Sequence, residues 1–218
     1  MIIIICGMHR SGTSALAGLL HSNGIIMGEE KNFIPKPKKQ NSKGFFENYR
    51  FRLFNDELLV YNNYKAKSFN PIIPQIIPSI KSYEVAQKLI NEYNNKYNIW
   101  GFKDPRTCLT LNFWLLAIGS KDKKIIVNYR NFDSISKSLW SRKNRGDIKK
   151  FIKLCEVYYS RVEKVLKNFS HVPIINLDFD NLCNNTEKEA ERLSDFLEYD
   201  IKDISFIEDK LRHHVGEN

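Results

Sequence analysis

The first twenty residues, MIIIICGMHRSGTSALAGLL, constrain this chain more than any other stretch. Four isoleucines and Cys6 form an apolar run that stops at Gly7. The polar segment His9-Arg10-Ser11-Gly12-Thr13-Ser14 follows, and residues 15–20 are mostly Ala and Leu. That order reads as strand, short loop, helix. A loop leading from a buried strand into a helix leaves the first helical N–H groups without intrahelical acceptors, all pointing at one place. The helix dipole adds positive potential there, so the place favours phosphate or sulfate. Gly7 and Gly12 bracket the loop as the glycines of G-x-x-x-x-G-K-[ST] would, but Thr13 stands where that motif demands lysine. The loop fits a phosphate yet lacks the lysine that reaches the β- and γ-phosphates of ATP. Arg10 is placed to supply a cation from within the loop, and a surface turn without a ligand is the alternative.

The rest of the chain repeats the pattern. Residues 99–102 form a short apolar run that breaks into Lys103-Asp104-Pro105-Arg106, and residues 109–118 are apolar enough for a buried helix. A third strand over 124–129 ends in Arg130-Asn131 before a helix at 134–140, and a fourth is expected over 172–177. Helical periodicity predicts further helices over 45–63, 83–97, 147–169 and 190–199, the last opened by a capping box, Thr186-x-x-Glu189. Pro71, Pro74 and Pro78 exclude a regular helix over 68–79, and residues 31–43 read as a long irregular loop. These two stretches are expected to shape an acceptor pocket.

Strands alternating with helices predict an α/β fold, a central, mainly parallel sheet flanked by helices in three layers, within one domain over residues 1–218. Ligands of such sheets lie outside the carboxyl ends of the strands. That rule brings the glycine loop, the 103–106 loop and Arg130 to one edge. Trp100 and Trp114 lie in apolar stretches and read as core.

With 34 Lys and Arg against 25 Asp and Glu, the chain carries a formal charge of +9, which suits anionic partners. The same excess arises wherever biased base composition enriches Lys, Asn and Ile together. Cys6, Cys108, Cys155 and Cys183 show neither a C-x-x-C pair nor zinc spacing, so reduced thiols in a cytoplasmic protein are expected, with no metal. No apolar run approaches the length of a transmembrane segment.

The segment Gly7-Met8-His9-Arg10-Ser11-Gly12-Thr13-Ser14 resembles the 5′-phosphosulfate loop of sulfotransferases that use 3′-phosphoadenosine 5′-phosphosulfate (PAPS), especially their small bacterial branch. Lys43-Gly44-Phe45-Phe46-Glu47-Asn48 with the 54–59 stretch, and Trp100-Gly101-Phe102-Lys103-Asp104-Pro105-Arg106-Thr107, resemble further motifs of that branch. Arg130 and, eight positions later, Ser138 resemble the pair that grips the adenosine 3′-phosphate. Residues 176–182 are a looser echo of the motif after the last strand. The resemblance spans residues 1–199, though Phe132 replaces the proline common after Arg-Asn and the R-K-G ending of animal cytosolic enzymes is absent. The ending Leu211-Arg212-His213-His214 resembles a bacterial one instead.

The resemblance implies a P-loop-containing fold and sulfuryl transfer from PAPS to a hydroxyl or amine of a glycan or small molecule, without nucleic acid or metal. It assigns Arg10, Ser11, Gly12, Thr13, Ser14, Arg130 and Ser138 to the donor, with Arg10 neutralising the bridging oxygen as the bond to sulfur breaks. Lys103 and Arg106 are placed to meet the sulfate or an anionic acceptor. A base must take the acceptor proton. Glu47 is the first choice, Glu30 the second from its Gly28-Glu29-Glu30 context, and His9 the third. A nucleotide kinase or NTPase is the competing enzyme, opposed by the missing lysine. A basic anion-binding protein without catalysis is the remaining reading.

Overall fold

The computed structural model describes residues 1–35, 43–143 and 147–207. Four strands, β1 (Ile2–Cys6), β2 (Trp100–Lys103), β3 (Lys123–Tyr129) and β4 (Ile174–Asp178), form one wholly parallel sheet in the order β2-β1-β3-β4. Parallel neighbours require crossovers, and among the described residues eight α-helices supply and extend them. They are α1 (Thr13–Ser22), α2 (Tyr49–Tyr61), α3 (Ile80–Lys96), α4 (Thr107–Ile118), α5 (Phe132–Lys143), α6 (Ile148–Asn168), α7 (Phe179–Asn184) and α8 (Thr186–Leu197). The result is the expected three-layer α/β architecture.

The continuous apolar run of β1 follows from burial on both faces. Ile2, Ile4 and Cys6 join a core built with Phe51, Leu89, Trp114 and Phe151. Ile3 and Ile5 point the other way, onto Leu16, Leu20 and Leu193. Both Trp100 and Trp114 are fully buried, their indole N–H groups donating to Asn94 and Asn55. The crossover after β1 runs toward β2 and that after β3 runs toward β4, so the crevice where the chain changes direction opens between the carboxyl ends of β1 and β3.

Three local expectations are corrected. Helix α2 begins only at Tyr49, because Asn48 caps it by accepting from the Arg50 N–H, while Gly44 and Phe46 take left-handed φ values that break any earlier turn. Glu47 therefore sits in a loop rather than on a helix. The capping box does not form. Helix α8 starts at Thr186 with Asn185 as its cap, the Thr186 hydroxyl donates back to Cys183 O, and the Glu189 carboxylate takes Asn181 and Arg192 instead. Finally, α7 was not expected from periodicity. Asp178 starts it by accepting from Asn181 N at 2.8 Å.

Candidate active site

The loop between β1 and α1 is shaped by close packing. A Cβ at Gly7 would lie 2.5 Å from Thr13 Cγ2 and 2.8 Å from Asn128 O. Gly12 has φ +90°, and a Cβ there would lie 2.0–2.5 Å from the Phe179 ring, so this position requires glycine on two counts. Arg10 also takes a left-handed φ, +70°. Ser11 closes a turn onto Met8 O through its N–H (3.1 Å) and its hydroxyl (2.7 Å). Neighbouring elements clamp the loop. Asn128 of β3 donates to Ser11 O at 2.6 Å, and the Tyr159 hydroxyl donates to Asn128 O at 2.8 Å while accepting the Met8 N–H. Gly7 N–H donates to Cys108 Sγ at 3.2 Å. The cap residue of α1 is Gly12, so no cap side chain accepts from the first N–H groups of the helix, and no acidic residue lies in its first turn. That end of the helix is open to an anion.

Beside it lie the second pair of sequence-derived residues. Arg10 Nε donates to Ser138 Oγ at 2.8 Å, and an Arg130 terminal N–H donates to Arg10 O at 3.3 Å. Arg130 is buried, its guanidinium 5.0 Å from the centre of the Phe179 ring. Its Nε is 3.5 Å from Asp180 Oδ1, beyond good hydrogen-bond geometry, and neither Nε nor its second terminal nitrogen has a hydrogen-bond partner. Buried guanidinium donors left unmatched are costly. They match the fork a phosphate accepts.

Lys103, at the end of β2, reaches the same edge. Although 1% exposed, it donates to Ser14 Oγ at 3.2 Å and to Glu47 Oε1 at 3.0 Å. This ties Glu47 to the first turn of α1. Arg106 turns away into a buried network, pairing with Asp104 at 2.7 Å and Asp56 at 2.6 Å. Burial pushes the Asp104 carboxyl above its ordinary range although Arg106 opposes this. For Arg106 burial pulls downward, but Asp104 and Asp56 outweigh it and hold the guanidinium above its usual value. Asn55 centres the network, donating to Asp104 and Thr107 and accepting from Thr110 and Trp114.

The other base candidates have different surroundings. Glu30 is exposed on a single 3₁₀ turn, Glu30–Asn32, and its charge acts on His21, whose pKa burial lowers and Glu30 partly restores. The His9 ring packs edge-on to Phe69 at 5.5 Å and near Tyr158 at 6.3 Å. Asn128, Tyr159, Asn55, Phe179 and Asp180 support the site without having been singled out for it from sequence. Phe179 and Asp180 lay within the echo after the last strand. Among the described residues no group of three His, Cys, Asp or Glu could hold a metal, and the four cysteines are buried and form no disulfide. The Leu211–His214 ending and residues 36–42 of the long loop lie outside the described residues.

A sulfotransferase family model matches residues 3–203. Among solved structures, the sulfotransferase domain of the Synechococcus PCC 7002 olefin synthase superposes with TM-score 0.56 at 15% identity, covering 99% of this chain and 80% of that one. A Mycobacterium avium sulfotransferase gives 0.59 at 14% identity, covering 99% and 69%, and one from Alicyclobacillus acidocaldarius gives 0.52 at 15%, covering 97% and 87%. At such identities the likeness speaks for the fold. No curated protein sequence matches the chain.

Proposed function

The chain belongs to the sulfotransferase family, and from that premise we propose that it transfers a sulfuryl group from PAPS to a hydroxyl or amine of a glycan or small molecule in the cytoplasm, without metal. One observation carries the choice of donor. The N-terminus of α1, capped by glycine, and the two Arg130 nitrogens without hydrogen bonds, one of them ion-paired with Asp180 at 3.5 Å, would form neighbouring anion sites, joined through Arg10 and Ser138. Two such sites suit a nucleotide with phosphates at both its 5′ and 3′ positions.

When bound, PAPS supplies a sulfuryl group attached to a phosphate that can leave. The backbone N–H groups of Ser11 to Ser14 and the Ser11, Thr13 and Ser14 hydroxyls would hold its 5′-phosphate. Arg130 and Ser138 would hold its 3′-phosphate, and Arg10 would neutralise charge on the bridging oxygen. Glu47 would accept the acceptor's proton, and Lys103, bonded to both Glu47 and Ser14, would fix that carboxylate beside the loop. Glu30 and His9 remain second and third as bases. Lys103 can also meet a sulfate oxygen, while Arg106, committed to Asp56 and Asp104, braces the loop that carries Lys103.

Thermal unfolding with 3′-phosphoadenosine 5′-phosphate, ATP with Mg²⁺, and a mixed oligonucleotide separates this reading from a kinase and from a nucleic-acid binder. At about 100 times its Kd the bisphosphate adds about 2.7 kcal/mol. In a chain of this size that raises Tm by roughly 5–10 °C. The other two are expected to leave Tm unchanged. Stabilisation by ATP with none by the bisphosphate would overturn the assignment.

A further inference from the structure

The segment P-I-I-P-Q-I-I-P, residues 71–78, splits its isoleucines. Ile73 and Ile76 pack on the core, whereas Ile72 is 81% and Ile77 62% exposed. Ile80, at the start of α3, is 82% exposed, and Val60 and Tyr61 at the end of α2 stand out as well. These side chains are held there. Ile77 N–H donates to Asn62 Oδ1 at 2.8 Å, Tyr64 OH to Asn70 O at 2.8 Å, and the Arg161 guanidinium to Ile73 O and Pro74 O. Val60 and Ile72 share the lining of one cavity of about 420 Å³ with Lys65. Val60 and Ile72 thus neighbour each other, and the apolar ridge of residues 72–80 has its Ile73, Pro74 and Ile77 backbone groups tied from the protein side.

Charge accompanies the ridge. Residues 60–81 include Lys65, Lys67 and Lys81, all exposed, and no Asp or Glu, the exposed Glu57 and Glu84 lying one helical turn outside the stretch at its two ends. Rigid aliphatic residues flanked by flexible cations, with no acid among them, suit a surface that is apolar within and negative at its face. A second copy of the chain is a poor occupant, because a two-fold contact would bring these lysines against themselves. A protein partner is disfavoured too, since protein interfaces are enriched in aromatic residues and Arg and depleted in Lys.

We propose that residues 60–81 are a peripheral membrane contact that docks the protein on anionic phospholipid, with Ile72, Ile77 and Ile80 entering the headgroup region and Lys65, Lys67 and Lys81 meeting lipid phosphates. No helix among the described residues is long and apolar enough to cross a membrane, so the contact lies on the bilayer surface. It is independent of the sulfuryl-transfer reading.

Co-sedimentation of the full chain with vesicles tests it, using phosphatidylcholine alone and phosphatidylcholine with one third phosphatidylglycerol. Binding is expected only to the anionic vesicles. Substituting Ile72→Ser, Ile77→Ser and Ile80→Ser together should weaken it at least about tenfold. Substituting Lys65→Gln, Lys67→Gln and Lys81→Gln should weaken it roughly 100-fold. A charge-matched control, Lys121→Gln, Lys188→Gln and Lys202→Gln, places the same loss of charge elsewhere and should leave binding within about twofold of the unsubstituted chain. All six side chains substituted in the lysine sets, and the three isoleucines, are solvent-facing, so circular dichroism should show the fold kept. No binding to anionic vesicles, or equal loss in the control, would overturn the proposal. So would self-association of the chain that the isoleucine substitutions abolish.

Discussion

Replacing Gly12 with Ala tests how the anion loop is held. At φ +90° an L-residue carries about 1–2 kcal/mol of backbone strain. The new Cβ would also meet the Phe179 ring at 2.0–2.5 Å, and forcing such overlap costs about 1–3 kcal/mol. The two effects act at different atoms, so Gly12→Ala should cost about 2–5 kcal/mol and lower Tm by roughly 4–20 °C. Phe179→Ala alone should cost about 3–5 kcal/mol, because the ring is buried against the loop and lies under Arg130. In the double variant the overlap vanishes and the backbone strain remains. The double variant should therefore be about 1–3 kcal/mol more stable than the sum of the single effects implies. Urea unfolding of all four proteins measures this. A Gly12→Ala cost below about 1 kcal/mol, or strict additivity, would refute the packing described for this loop.

Asn55→Ala removes the centre of a buried network and leaves Trp114 Nε1, Thr110 Oγ1 and Asp104 short of a partner. It should cost about 3–5 kcal/mol by urea unfolding, and a cost under 1 kcal/mol would contradict the network. Glu47→Gln should spare bisphosphate binding and lower kcat about 10²–10⁴-fold, while Glu30→Gln changes kcat little; the reverse would make Glu30 the base. Glu29 has its pKa lowered to about 2, by Lys96 first, then Lys31 and Tyr97. A carboxylate whose folded pKa is depressed stabilises above its unfolded pKa and loses that contribution as pH falls through the folded one. The Tm advantage of the native chain over Glu29→Gln should accordingly be full near neutrality and shrink between pH 4.5 and about 2. A pH-independent difference would contradict the pairing.

Much of the fold was legible because parallel strands buried on both faces leave unbroken apolar runs. The run at residues 2–6 became β1 at those bounds, and the Ile125-Ile126-Val127 centre became β3. What periodicity could not show was where backbone geometry overrides it. The aromatic and charged residues from Phe45 to Asn48 continue a helical pattern, yet the Asn48 cap and the left-handed Phe46 end it, and this frees Glu47 to meet Lys103. Thr186 and Glu189 have the spacing of a capping box, but Glu189 is buried against Arg192 and Asn181 and cannot turn back. At the site, Arg10, Ser14 and Arg130 are singled out by their places in a loop and at a strand end and Ser138 by the family resemblance, and hydrogen bonds link Arg10 to Ser138 and Arg130 to Arg10. The clamps Asn128 and Tyr159, and the Phe179 ring on Gly12, come from elements distant in sequence, and only their packing shows them.

The central claim is that two anion sites, the α1 N-terminus and the Arg130 fork, read a nucleotide phosphorylated at both 5′ and 3′ positions. Titration calorimetry of 3′-phosphoadenosine 5′-phosphate and adenosine 5′-monophosphate, on the native chain and on Arg130→Ala, tests it most directly. Two charge-assisted hydrogen bonds from Arg130 should make the native chain prefer the bisphosphate by at least about 100-fold. Arg130→Ala should erase that preference and leave monophosphate affinity nearly unchanged. Equal affinities in the native chain, or a preference that survives in the variant, would contradict the account.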